Sequence, residues 1–162
     1  MRQPLMSYDR GMKAAERPLS KREYAAWRAF YEMQELLRGR LEQHLQADSG
    51  LSNADYTVLV ALSEAPQGQQ RAYELGRRLE WEKSRLHHQL TRMCGRGLVE
   101  RLNGDGRAIY VAITTGGRAA LEAAAPPHRR HVRHLFLDRL TPEQIDQLAD
   151  ISRTILDGLD AS

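Results

Sequence analysis

Apolar residues recur at helical spacing along most of the chain and switch to strand alternation in one place. Ser20 with Glu23 three residues later forms a capping-box pattern, and behind it Trp27, Phe30, Leu37, Leu41 and Leu45 recur as one helical face, predicting a long helix that ends near Ala47. Ser52 with Asp55 opens a second helix whose Tyr56, Leu59, Val60 and Leu62 form the expected buried stripe, closed by Pro66-Gln67-Gly68. From Arg71 to Leu79 the spacing predicts a short helix with Tyr73, Leu75, Gly76 and Leu79 inward. Glu80-Trp81-Glu82 then turns the chain into another helix, from Lys83 to Arg96. In that helix Leu86, Leu90 and Met93 fall at i, i+4 and i+7, which turns Lys83, Ser84, Arg85, His87, His88, Gln89 and Arg92 outward.

The change of period follows directly. Leu98, Val99 and Leu102 are the apolar positions of one strand, and Ile109, Val111 and Ile113 alternate with Ala108, Tyr110 and Ala112 in the next. Asn103-Gly104-Asp105-Gly106 supplies residues that tolerate positive φ, so a tight reversal is expected there, with Arg107 held out at the tip. Two short helices joined by a turn and followed by such a ribbon make a winged helix-turn-helix. An arginine on a protruding ribbon suits the narrow, electronegative minor groove of double-stranded DNA.

After Thr114 a further helix begins near Thr115. Pro126-Pro127 is expected to break or kink it before it resumes through Asp138, because proline lacks the N–H and its ring clashes with the preceding turn. The last helix opens at Thr141-Pro142-Glu143-Gln144 and carries Ile145, Leu148, Ile151, Ile155 and Leu159 as a stripe. The layout predicted is mainly α with a small β-hairpin wing. A flexible arm (1–19) precedes a winged-helix lobe (52–114), flanked by helices (20–47 and 115–160) whose apolar faces exceed the lobe's own needs. The expected partner of those faces is a second copy of the chain, giving a homodimer.

Composition narrows the class. The 162 residues suffice for one domain with a sizeable core. A net charge of +3 permits nucleic-acid binding without demanding it. Of the 24 Lys plus Arg only Lys13, Lys21 and Lys83 are lysines, a bias that a GC-rich genome also produces. One cysteine, Cys94, excludes an intrachain disulfide, and the chain carries no apolar run of signal-peptide or membrane-span length, so a cytoplasmic protein with no membrane partner is expected. Enzyme signatures such as a Walker phosphate loop, H-E-x-x-H or G-x-S-x-G do not occur, and no cofactor is called for.

The order of elements resembles the MarR family of bacterial transcription regulators over about residues 20–160. The match rests on Ser84, on Arg96-Gly97-Leu98-Val99-Glu100-Arg101, and on Asp105-x-Arg107 with Ile113-Thr114-x-x-Gly117. The resemblance implies that Arg107 enters the minor groove braced by Asp105, although Gly106 and the short Asn103-Gly104 loop alter the reach of the wing. It implies a ligand-responsive repressor, or less commonly an activator, that binds a pseudo-palindromic promoter site as a homodimer. The recognition helices of such a dimer lie about 34–36 Å apart. Arg85, His88, Gln89 and Arg92 become candidate base or phosphate contacts, Lys83 and Ser84 helix-start contacts, and Arg77 and Arg78 backbone contacts. Trp27, Tyr31 and Tyr56 become candidate lining of a pocket for a small aromatic or phenolic effector, Tyr56 serving equally as core.

Other functions leave weaker marks. His128, His131 and His134 recur every third residue, with His44, His87 and His88 elsewhere, yet no carboxylate or cysteine falls at ligand spacing, so a histidine row is preferred to a metal site. Cys94 beside Met93 reads as a small buried thiol before it reads as a redox sensor. Glu80 and Glu82 belong to the inter-helix turn. A winged helix used only for protein contacts is the remaining rival class, and the charge of Lys83, Arg85 and Arg92 speaks against it.

Overall fold

The computed structural model describes residues 17–104 and 108–160. Asp105, Gly106 and Arg107, together with most of the predicted arm, lie outside the described residues. The chain divides into two units, Met1–Leu36 and Leu37–Ser162. In the first, helix α1 (Lys21–Ser49) starts on its predicted box: Ser20 N–H donates to Glu23 Oε2 at 2.7 Å and Glu23 N–H to Ser20 Oγ at 3.2 Å. Those bonds hold the Glu23 carboxyl below its ordinary value. Tyr24, Trp27, Phe30, Tyr31 and Leu36 are exposed along it.

The second unit holds the core. Helix α2 (Asn53–Glu64) opens on the expected N-cap Ser52, and Ser52 and Asp55 go further and bond reciprocally at 2.9 and 3.1 Å. Its buried face is Asp55, Val58, Leu59, Ala61 and Leu62; Tyr56 and Val60, expected inside, are only half-buried. A 3-10 turn at Pro66–Gly68 leads into strand β1 (Gln69–Arg71), which the pattern did not announce, and helix α3 (Ala72–Leu79) follows. Tyr73, predicted inward, is 75 % exposed, because α3 buries only Leu75 and Gly76 fully. Glu80 ends α3 in the left-handed region at φ 52°, and helix α4 (Lys83–Gly95) begins after Trp81 and Glu82.

Gly97 at φ +70° turns the chain out of α4 into strand β2 (Val99–Asn103). β2 pairs antiparallel with strand β3 (Ile109–Ile113), and β3 pairs on its other edge with β1, in the order β1-β3-β2. The expected two-stranded ribbon is therefore three-stranded at its base. The expected single buried face holds only in part: Leu98, Val99, Val111 and Ile113 are buried, but so is Ala112 of the alternate set, and Leu102 and Ile109 farther out are exposed.

Helix α5 (Thr115–Leu135) runs on through Pro126 and Pro127, so of the expected break or kink the break does not occur, and it ends before a 3-10 turn at Leu137–Arg139. Contacts on both sides of the prolines account for its survival. Ala124 is buried in the core and His128, one turn later, packs its ring 4.7 Å from Tyr56 of α2. Tertiary packing of this kind outweighs the loss of a helical hydrogen bond. Helix α6 (Pro142–Asp160) starts on the predicted Thr141–Gln144 box, with bonds of 2.9 and 3.2 Å. Its Ile145, Ile151, Ile155, Leu156 and Leu159 are exposed. The core joins Leu45, Leu51, Leu59, Leu62, Leu75, Leu86, Leu90, Met93, Val99 and Val111. Among the described residues no helix is long and apolar enough to cross a membrane.

Candidate nucleic-acid interface

Helix α4 is held by one face and free on the other. Leu86, Leu90 and Met93 sit in the core, and Lys83, Ser84, Arg85, His87, His88 and Arg92 are exposed. These groups present cationic, hydroxyl and imidazole chemistry that suits phosphate oxygens and base edges. The Arg85 guanidinium lies over the Trp81 ring, 4.4 Å from its centroid, so the arginine is braced by the turn that precedes its own helix. The rings of His87 and His88 meet edge to face at 5.9 Å.

Gln89 departs from the predicted outward set. It is 3 % exposed, and its Nε2 donates to Asp55 Oδ1 at 2.7 Å while its Oε1 accepts from Arg92. A polar residue between apolar ones reads as outward unless its partner is known, and Asp55 lies in another helix. Asp55 itself is the centre of this arrangement. Its second oxygen accepts from the Ser52 N–H and from Arg96 Nη1 at 2.7 Å. Burial pushes the Asp55 carboxyl up, but the Ser52 and Arg96 bonds outweigh it and hold the group below its ordinary value. Arg96 also donates to the Gly50 carbonyl at 2.9 Å.

Of the two arginines at the end of α3, Arg77 is exposed. Arg78 is engaged by α2, donating to the Ala61 carbonyl at 2.9 Å and to the Glu64 carboxylate. The wing is tied to α4 by Arg101, which donates to the His87 carbonyl at 3.2 Å and to Thr91 Oγ1 at 3.0 Å. Arg101 belongs to the motif that carries the family resemblance, but its bonds to α4 depend on an adjacency absent from the local pattern. The wing's base is joined to α3 through Arg71, whose Nε donates to Tyr110 Oη at 3.0 Å. Asp105 and Arg107, the predicted wing contacts, lie outside the described residues.

The other candidates separate by place. Trp27 and Tyr31 form a tilted pair with centroids 6.3 Å apart in the first unit. Tyr56, in the second unit, packs on the core, where burial raises its hydroxyl's pKa, and it lines a shallow cleft with Val60, Arg78 and Leu79. His131 stacks on His44 at 3.9 Å and bonds Asp48 Oδ2 at 2.8 Å. Burial, then the neighbouring His131, keeps the pKa of His128 below its ordinary value. No group of three or more potential ligands suited to a metal ion occurs among the described residues. Cys94 is half-buried and packs against the core.

Neither a family model nor a curated protein matches this chain, but solved structures do. AbsC, a MarR family transcriptional regulator from Streptomyces coelicolor, is 36 % identical, covers 91 % of this chain and 100 % of its own, and superposes with a TM-score of 0.85. Sco3205, a MarR family transcriptional regulator from the same organism solved in complex with DNA, is 35 % identical over 91 % of this chain and 93 % of its own, with a TM-score of 0.86. A mutant MarR from E. coli complexed with operator DNA shares the fold at 23 % identity and a TM-score of 0.72, over 82 % of this chain and 94 % of its own. With that identity to AbsC and Sco3205 extending over nine-tenths of the sequence, and with the same winged helix-turn-helix fold, this chain belongs to the MarR family of transcriptional regulators.

Proposed function

We propose that the chain is a non-enzymatic, sequence-specific DNA-binding repressor, acting in the cytoplasm as a homodimer on a pseudo-palindromic promoter site and released by a small aromatic or phenolic effector. The observation that carries this reading is the free face of α4, where Lys83, Ser84, Arg85, His87, His88 and Arg92 stand together in solvent beside a wing bonded to the same helix. Relatives of the same fold have been solved on DNA, which supports α4 as the major-groove helix. Arg77, near the start of α4, is suited to a phosphate, and Asp105 and Arg107 retain the minor-groove role that the family resemblance implies.

Exposed apolar residues on α1 and α6 support the dimer. Tyr24, Trp27 and Phe30 on one helix and Ile151, Ile155 and Leu159 on the other are exposed large apolar side chains recurring at helical spacing, which a second copy would cover. Trp27, Tyr31 and Tyr56 are the residues proposed for effector contact, where binding need change DNA affinity by only about 1–3 kcal/mol to act as a switch.

The test is anisotropy binding of the purified protein to the DNA flanking its own gene, with random duplex as competitor and salt varied. Saturable binding that outlasts the competitor, one dimer per inverted repeat, is the expected result. Binding no tighter than to random duplex, there and in a genome-wide selection, would remove the regulator reading.

A further inference from the structure

The buried amide of Gln89 stands between two charged groups and bridges them. Asp55, ionised, can only accept hydrogen bonds, and Arg92 can only donate them. The amide therefore has one satisfying orientation, with Nε2 toward Asp55 Oδ1 at 2.7 Å and Oε1 toward the Arg92 guanidinium. No other side chain of this length does both without adding charge. Glutamate would set a second carboxylate against Asp55, and methionine would offer neither donor nor a strong acceptor. Asp55 is itself fixed from two further directions, by the Ser52 N–H and by Arg96. The result is a chain of bonds from the start of α2 through the interior to one cation on the exposed face of α4.

Arg92 uses one N–H group on Gln89 and keeps the other donors of its guanidinium for the outside. It stands two turns beyond Arg85 on α4, and Arg85 is likewise braced, by Trp81. A long side chain that is already oriented loses less rotamer freedom on meeting a phosphate or a guanine edge.

We infer that Gln89 is a positioning residue for DNA recognition, which, anchored on Asp55, aims Arg92 at the nucleic acid without touching it. This rests on α4 being the DNA-facing helix. The experiment is a double-mutant cycle on Gln89→Met, Arg92→Ala and the pair, titrated by anisotropy against the duplex that the wild-type protein selects from a randomised pool, at several salt concentrations. Each single variant is expected to weaken binding about tenfold and to flatten the salt dependence by about one phosphate's worth. The pair is expected to be no weaker than Arg92→Ala alone. Losses that add in the pair, or a Gln89→Met protein that binds as well as or better than wild type, would overturn the inference while leaving the DNA reading intact. Failure of the wild-type protein to select any duplex would overturn both.

Side-chain NMR keeps the question open to refutation where Gln89→Met does not fold. In the free wild-type protein the Arg92 Nε–H is expected to be as ordered as that of Arg96. An Arg92 as mobile as an unbraced surface arginine would overturn the positioning role.

Discussion

Asp55 and Arg96, 41 positions apart in sequence, meet at 2.7 Å and join the first turn of α2 to the first residue after α4. Asp55 is 3 % exposed and Arg96 is in solvent on its outer side, so the pair is neither a surface ion pair nor a fully buried one. Replacing Arg96 by methionine leaves a buried carboxylate without its arginine partner. The expected loss is about 2 kcal/mol, less than for a fully buried pair because the arginine side chain is 45 % exposed. Urea unfolding of the two proteins measures it. The same pair sets an acid limit. The folded chain holds Asp55 below its ordinary 3.8, so its contribution is complete above about pH 4 and is lost as pH falls through the lowered folded value. Asp55→Asn is expected to be less stable at neutral pH and to lose less of its remaining stability on acidification.

Gly117 sits where α5 passes the end of β2. A Cβ there would lie 2.0 Å from the Leu98 carbonyl oxygen, a backbone atom that cannot swing aside. Gly117→Ala is expected to cost about 3 kcal/mol or to prevent folding. Gly39→Ala, in mid-helix with nothing within 4 Å of the added Cβ, is the control and is expected to melt at or above the wild-type temperature.

Arg101→Ala removes the two bonds by which this exposed side chain ties the wing to α4. Stability is expected to change by less than about 1 kcal/mol. DNA affinity is expected to fall several-fold, with the loss seen as faster dissociation in a stopped-flow or surface measurement. An unchanged dissociation rate would mean that wing and helix act independently.

Ile151→Glu with Ile155→Glu places two charges on the open face of α6, at positions 58 % and 55 % exposed in the single chain. Sedimentation velocity is expected to show a folded monomer where the wild type gives a dimer, because burying either carboxylate at an apolar interface costs several kcal/mol. A variant that still sediments as a dimer would take α6 out of the proposed interface.

How much of this could be read from the residues depended on distance along the chain. The caps at Ser20, Ser52 and Thr141 are local chemistry, four residues long, and each was legible. So was the face of α4 that holds Leu86, Leu90 and Met93, since the helical period alone defines it. Strand β1 was not, because Gln69-Gln70-Arg71 has no strand character of its own and becomes one by pairing with β3, some forty residues later. Gln89 was misread for a related reason. Its burial depends on a carboxylate in another helix, and no periodicity distinguishes a polar side chain that has found a partner from one that points to water. The proline pair in α5 misled in the opposite sense, since a strong local rule was overridden by packing on both sides of it.

The register of the small sheet carries a mechanical consequence. β1 reaches only from Ala112 to Tyr110 of the central strand, and beyond Tyr110 the ribbon continues as two strands, with Asn103 opposite Ile109. Two-stranded ribbons twist and flex more easily than sheets of three. Over the described residues the wing is therefore graded in stiffness, firmer at the root where β1 backs it and more compliant at the Asn103–Ile109 pair. A graded spring of this kind suits the groove contact proposed above, since it gives at the outer pair while its mounting, and the helix bonded to it, keep their alignment.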